Sequence, residues 1–217
     1  MNVRVLNSLE SIDDWLANGC GPPGAVVRSQ DNSFWDWNHG NKTLTNGADN
    51  FFDVSLYKAS YENRSWVQPL VNEKRPGLLA LFVSKVEKVE YCLVQSKWEP
   101  GNIDSRRVLT TTIQATYENI RVNGVENVPF YDFALDQSPI VEVLIPEDGG
   151  RFFRKANRGT VFSYTTNFSH PENFAWVELG SLIKASAKRS YMSCQFRALL
   201  ATFLCHKLNL EMPRELC

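Results

Sequence analysis

Gln95-Ser96-Lys97-Trp98-Glu99-Pro100-Gly101-Asn102 sets an amide, an ammonium, an indole, a carboxylate and a second amide within eight residues. The run follows directly on an apolar stretch, where side chains leave a core and reach a pocket rim. Pro100-Gly101 forms a sharp turn able to aim Glu99 and Asn102 inward. A second polar stretch, Val108 to Thr116, carries Thr110, Thr112, Gln114 and Thr116 on one face and Thr111 on the other. These groups can hold hydroxyls and charge. On spacing alone the segment reads first as a solvated turn with a Lys97–Glu99 pair, and second as a pocket rim.

The elements that must position these residues are mostly β. Leu78 to Val83 and Val89 to Val94 are rich in Leu, Val and Phe, with Glu87-Lys88 between them, and read as a largely buried hairpin. Val108 to Thr116 is β-branched enough for a third strand. Phe51 to Leu56 reads as a short strand after a turn at Asn46-Gly47 that follows the aromatic-polar run Phe34 to His39. Phe152-Phe153 and Val161 to Thr165 read as strands around a turn at Asn157-Arg158-Gly159. Helices are expected at the two ends. One starts at Ser8 or Ser11 and runs to about Asn18, with Ile12, Trp15 and Leu16 as its apolar stripe, before Gly19 to Gly24 ends it. The others span Leu179 to Ala185 and Ser190 to Leu208, the latter burying Met192, Phe196, Leu199, Leu200 and Phe203. The class expected is α+β, a mixed, mostly antiparallel sheet with flanking helices and a C-terminal helix, and residues 1–217 read as one module.

Composition narrows the function classes. The formal net charge is -1, so no global field draws the chain to nucleic acid or to an anionic membrane. No apolar run has the length of a membrane span or a signal peptide, and the five cysteines lack C-x-x-C spacing. A cytoplasmic protein with reduced thiols is the expectation. His39, His170 and His206 are far apart and read as surface or structural rather than metal ligands. No Walker loop, G-x-G-x-x-G, H-E-x-x-H or G-x-S-x-G is present, and no cofactor or metal is expected.

Four runs occur in a distinctive order: Trp66-Val-Gln-Pro, Pro76-Gly-Leu-Leu, Gln95 to Asn102, and Leu109-Thr-Thr-Thr-Ile-Gln-Ala-Thr-Tyr-Glu-Asn119. Together they resemble the successive signatures of the nucleotide-hexose 2,3-dehydratase family. Weaker echoes follow in Arg151 to Arg158, Trp176 to Gly180 and Met192 to Leu200. The sequence departs from the family pattern at Tyr117-Glu118, where a basic and a small polar residue are expected. It departs also at Thr110-Thr111, in place of a Ser-Pro pair, and at Ser190-Tyr-Met-Ser, in place of an Asn-Met-Asp run.

The resemblance implies a Nudix-like fold without a working Nudix metal site, and no G-x5-E-x7-R-E-x-x-E-E box can be read here. Family members carry two copies of the module, so a single-module chain is expected to form a homodimer. The implied substrate is a nucleoside-diphosphate 4-keto-6-deoxyhexose, commonly thymidine-linked. Its ketone acidifies the hydrogen at C3. Loss of that proton and expulsion of the C2 hydroxyl give an enol that becomes the 3,4-diketo sugar, with the ketone as electron sink.

On this reading Glu99 is the base or acid and Lys97 polarises the ketone or stabilises the enolate. Gln95, Asn102, Thr111, Gln114, Thr116 and Asn119 are expected to hold sugar hydroxyls. Arg154, Lys155 and Arg158 are expected at the diphosphate, and Trp66 with Gln68, or Trp35, at the nucleotide. The alternatives are an isomerase or epimerase using the same C3 deprotonation, and a non-catalytic nucleotide-sugar-binding module.

Overall fold

The computed structural model describes residues 3–19, 24–28, 35–46, 52–73, 75–102, 107–165, 170–188 and 191–208. β1 (Val5–Leu6) leads into α1 (Leu9–Asn18). The Ser8 hydroxyl accepts the Ser11 N–H at 3.1 Å, and the Ser11 side chain accepts the Ser8 N–H at 3.2 Å. This reciprocal cap starts the helix one turn before its apolar stripe. Ile12, Trp15 and Leu16 are buried as expected. Residues 20–23 of the Gly-Pro run lie outside the described residues.

Next comes an antiparallel meander of β2 (Trp35–Asn38), β3 (Thr43–Asn46), β4 (Asp53–Tyr61) and β5 (Arg64–Asn72), paired in that order. The short strand expected at Phe51 to Leu56 is therefore part of a longer one; Phe34, Gly47 and Phe51 lie outside the described residues. Strand alternation and register put Trp35, Trp37, Leu44, Val54, Leu56, Val67 and Val71 on one face, with Lys58 among them opposite Val67. The other face holds a polar net in which Tyr57 donates to Asn72 at 2.6 Å and Asn72 donates to Ser55 at 2.9 Å.

β6 (Leu78–Val86) and β7 (Val89–Trp98) form the expected hairpin, closed at Glu87-Lys88 with Glu87 in the left-handed region (φ 54). β8 (Arg107–Thr110) and β9 (Ile113–Ala115) follow, then α2 (Tyr117–Asn123), a 3-10 turn at Val125–Asn127, and α3 (Tyr131–Asp136). β10 (Val141–Pro146), β11 (Ala156–Ser163) and β12 (Phe174–Glu178) complete the sheet before α4 (Leu179–Ser186) and α5 (Cys194–Lys207). The strand order is β1-β12-β7-β6-β11-β10, with β8 on β7 and β9 on β6. Among the strands of the described residues, only the β1–β12 and β6–β11 pairs are parallel. The molecule is thus α+β, with a large, mostly antiparallel sheet and a C-terminal helix.

Helices cover both faces of this sheet. Residues of α1, α4 and α5 pack with Leu79, Leu81, Val94, Leu109 and Val161 on one side. On the other, Phe82 meets Phe133 at 4.9 Å and Phe162 at 5.6 Å in an aromatic core that includes Phe130, Tyr164 and Phe174.

Other expectations change too. Helices are not confined to the ends of the chain, because α2 and α3 lie mid-sequence. The turn expected at Asn157-Arg158-Gly159 is the interior of β11; Gly159 stands there because a Cβ would lie 2.6 Å from the Ile145 side chain. Phe152 makes only an isolated bridge to Val71. The C-terminal helix starts at Cys194, capped by the Ser193 hydroxyl, with Met192 bridged to Leu109 before it.

Candidate functional site

The third strand expected over Val108 to Thr116 is two strands, and the break creates the site. β6 and β7 pair from Phe82 and Leu93 outward to their turn. Beyond that point they separate: β7 pairs with β8 through Gln95↔Thr110, and β6 pairs with β9 through Ala80↔Ile113. Thr112 sits at the fork. Its hydroxyl donates to the Leu93 carbonyl and accepts the Phe82 N–H at 2.9 Å, standing in for the ladder at the last shared pair. A β-branched residue with a hydroxyl suits this place, since it extends the strand and satisfies two buried backbone groups.

A cavity of about 400 Å³ opens at this fork, within the size range of small-ligand sites. Gln95 and Lys97 enter it from one face of β7, and Thr112 and Gln114 from the crossing segment. Phe174, Ile113 and Ala115 give it an apolar floor, while Asn119, Asn127, Val128 and Pro129 bring α2 and the turn after it to the rim. Glu99 joins through Gln114, whose amide Nε2 donates to Glu99 Oε1 at 3.3 Å. The Gln114 side-chain oxygen is buried without a hydrogen-bond partner among the described residues. Asn102 N–H closes a turn on the Glu99 carbonyl at 3.0 Å, with Pro100 at the position its fixed φ suits.

The remaining expected site residues are placed elsewhere. Thr111 is buried, and its hydroxyl is turned onto the Ile113 carbonyl at 2.6 Å. Thr116 caps α2 by accepting the Asn119 N–H at 3.2 Å. Trp98, which the chain sets beside Glu99, points with Ser96 to the opposite face of β7, its ring against Gly24. Trp66 and Gln68 lie on β5, where the indole N–H donates to the Gln68 side-chain Oε1 at 2.7 Å; Trp35 lies on β2 beside Phe52. Neither sheet position lines the cavity.

The three expected phosphate cations are likewise engaged away from the cavity. Lys155 is buried; its ammonium lies 2.9 Å from Glu73 and donates to the Arg75 carbonyl at 2.6 Å. Arg158 makes a two-pronged contact with Glu142 at 2.8 and 3.1 Å, and this hydrogen bonding holds the Glu142 carboxyl below the usual carboxylate range. Arg154 has a left-handed backbone (φ 51) and lies over the Phe153 ring.

Of the histidines, His170 accepts the Arg4 N–H at 3.0 Å and His39 packs edge-on to Trp37. Burial pushes the Cys92 thiol well above its ordinary value, so it behaves as a small apolar residue. No helix among the described residues is long and apolar enough to cross a membrane. Sequence reasoning missed Asn127, Val128 and Pro129 as lining residues. Their only signal was the Val128-Pro129 step, a turn marker whose place over the cavity depends on the fold.

Three relatives bear the name dTDP-4-dehydro-6-deoxy-alpha-D-glucopyranose 2,3-dehydratase. The chain is 29% identical to that of Saccharopolyspora spinosa over 181 residues, 80% of this chain and 37% of the relative. It is 30% identical to that of Amycolatopsis orientalis over 142 residues, 64% of this chain and 30% of the relative. With that of Streptomyces violaceoruber the identity is 32% over 118 residues, 52% and 26% of the two chains. The chain therefore spans well under half the length of the relatives it matches. The sequence family described as NDP-hexose 2,3-dehydratase matches residues 11–203, nearly the whole of the sheet with the helices on both its faces, and this chain belongs to it.

Proposed function

We propose that this protein is a nucleotide-sugar lyase that removes the C2 hydroxyl of a thymidine-diphosphate-linked 4-keto-6-deoxyhexose in deoxysugar biosynthesis. The observation that supports it is that, in a chain of this family, Lys97, Gln95 and Gln114 line one cavity at the fork of the sheet, and Gln114 donates to Glu99 beside it.

The reaction needs a group to take the C3 proton, a donor for the developing enolate and a proton for the departing hydroxyl. Glu99 takes the proton at C3 or returns one to the C2 oxygen, and Gln114 holds its carboxylate in one orientation. Lys97 has no partner among the described residues and donates to the C4 oxygen as charge grows on it. Gln95 and Asn119 fix the sugar hydroxyls, and Thr112 holds the fork open between them. Helices on both faces of a mixed sheet support the Nudix-like reading. The apolar face of the four-stranded meander supports a homodimer.

The test is incubation of the protein with a thymidine-diphosphate 4-keto-6-deoxyhexose, followed by mass spectrometry and deuterium exchange. Loss of water from the sugar is the expected result. Deuterium entry at C3 without loss of water would instead identify an isomerase or epimerase. Protection by thymidine diphosphate with no change in the sugar would identify a binding module.

A further inference from the structure

Ser96, Trp98 and Arg107 meet on the face of β7 and β8 that looks away from the cavity. Trp98 stands directly opposite Arg107 in the ladder, and Ser96, two residues back along β7, projects from the same face. The Arg107 guanidinium reaches back along the pair, and its Nη1 donates to the Ser96 carbonyl at 3.4 Å. Three polar atoms are thereby gathered: Ser96 Oγ, Trp98 Nε1 and Arg107 Nε. Each is closed to solvent and without a hydrogen-bond partner among the described residues, and Ser96 as a whole is 1% exposed. The Gly24 backbone lies against the outer ring of Trp98, where a Cβ would stand 2.9 Å from the ring carbons.

Such a cluster is chemically one-sided. Indole and guanidinium N–H groups only donate, and the serine hydroxyl can turn to donate as well, so all three call for an acceptor. Arg107 also has no carboxylate partner among the described residues, which leaves its charge as unbalanced as its hydrogen bonding. Buried donors and an unneutralised cation are both costly to leave unmet. We propose that Ser96, Trp98 and Arg107 form a binding site for a small monovalent anion of the halide type, with chloride as its occupant. A halide accepts from several donors at once without directional demand and neutralises the guanidinium, whereas a water leaves the charge in place. Donor atoms closed to solvent suit a single-atom occupant better than a phosphate or a carboxylate. The site is independent of the nucleotide-sugar reading, but it is built on the same strand as the cavity. Gln95 and Lys97 leave the opposite face of this part of β7, so the anion fastens the end of the β7–β8 pair from behind.

Thermal unfolding of the full chain tests this, at constant ionic strength and with sodium gluconate exchanged stepwise for chloride or bromide. The expected result is a saturable rise in Tm of about 3–6 °C by about 200 mM of either halide. In Trp98→Phe and in Arg107→Gln the rise is expected to shrink to about 1 °C or less. Diffraction from wild-type crystals grown in bromide gives a second reading that does not depend on how a variant folds. An anomalous peak is expected in contact with Ser96 Oγ, Trp98 Nε1 and Arg107 Nε. A wild-type Tm indifferent to the exchange of gluconate for halide overturns the proposal. So does a water at this position in the bromide crystals, and so does a halide response kept in full by both variants.

Discussion

At the scale of the residue, two cations three positions apart show how far burial decides the worth of a charge. The Lys155 side chain is 2% exposed and its partner Glu73 13%, so truncation strands a carboxylate in a poorly solvated place. Lys155→Ala is expected to cost about 3 kcal/mol in a urea titration. Arg158 and Glu142 are half exposed, and Arg158→Ala is expected to cost no more than about 1 kcal/mol. That small term also has a pH signature. Hydrogen bonding from Arg158 lowers the Glu142 pKa in the folded chain, so the unfolded chain binds the proton more readily. The pair's contribution is present at neutral pH and disappears as pH falls through the folded carboxyl's range. The difference in Tm between wild type and Arg158→Ala is expected to close on acidification. In the proposed chemistry Glu99→Gln and Lys97→Met are each expected to lower kcat by about a hundredfold or more. Retention of full turnover by either variant would remove that residue from its role.

At the scale of the element, the fork between β6 and β7 depends on one hydroxyl. Thr112→Val keeps the shape but leaves the Phe82 N–H and the Leu93 carbonyl without the partner they share. A loss of about 2 kcal/mol is expected, lowering Tm by about 4–8 °C, while Thr112→Ser retains most of the stability. Val108 to Thr116 also shows what the sequence makes legible. Its β-branched residues announce extended chain and its polar residues announce a lined surface, and both readings describe the fold. No local signal marks the break at Thr111-Thr112, because each half is extended by itself and the break exists only where two other strands separate. Asn157-Arg158-Gly159 failed for a related reason. Asn and Gly read as a turn, but Gly159 meets a packing limit against Ile145, and Asn157 is buried with its amide oxygen accepting the Gly77 N–H at 3.1 Å. The N-terminal helix was legible to its cap because Ser8, Ser11 and the apolar stripe act within a few residues. The α2 and α3 segments lack such a stripe; α2 has seven residues and α3 six, and they depend on the aromatic face of the sheet.

At the scale of the whole molecule, the two sheets are finished differently. The large sheet is covered on both faces, but the meander leaves Trp37 40%, Leu56 47% and Val67 63% exposed on one face. With strands about 4.8 Å apart and about 3.3 Å per residue, that face spans roughly 400 Å² of sheet plane. Lys58 lies on this face opposite Val67, so the apolar part is the smaller area from Trp35 to Leu56 and Val67, and an exposed apolar surface of this kind is often functional. A second copy of the chain is the proposed occupant, since a two-fold contact lets each copy cover the same patch on the other. The area also sets the strength. It lies below the roughly 800 Å² per partner of a standard stable interface, so the dimer is expected to dissociate on dilution. Sedimentation equilibrium should show mass rising with concentration from 24.7 kDa toward twice that value. Leu56→Lys with Val67→Lys puts like charges into the contact without touching the cavity, and is expected to hold the chain at monomer mass while thymidine diphosphate still binds. A double variant that still dimerises with wild-type affinity would place the contact elsewhere on the molecule.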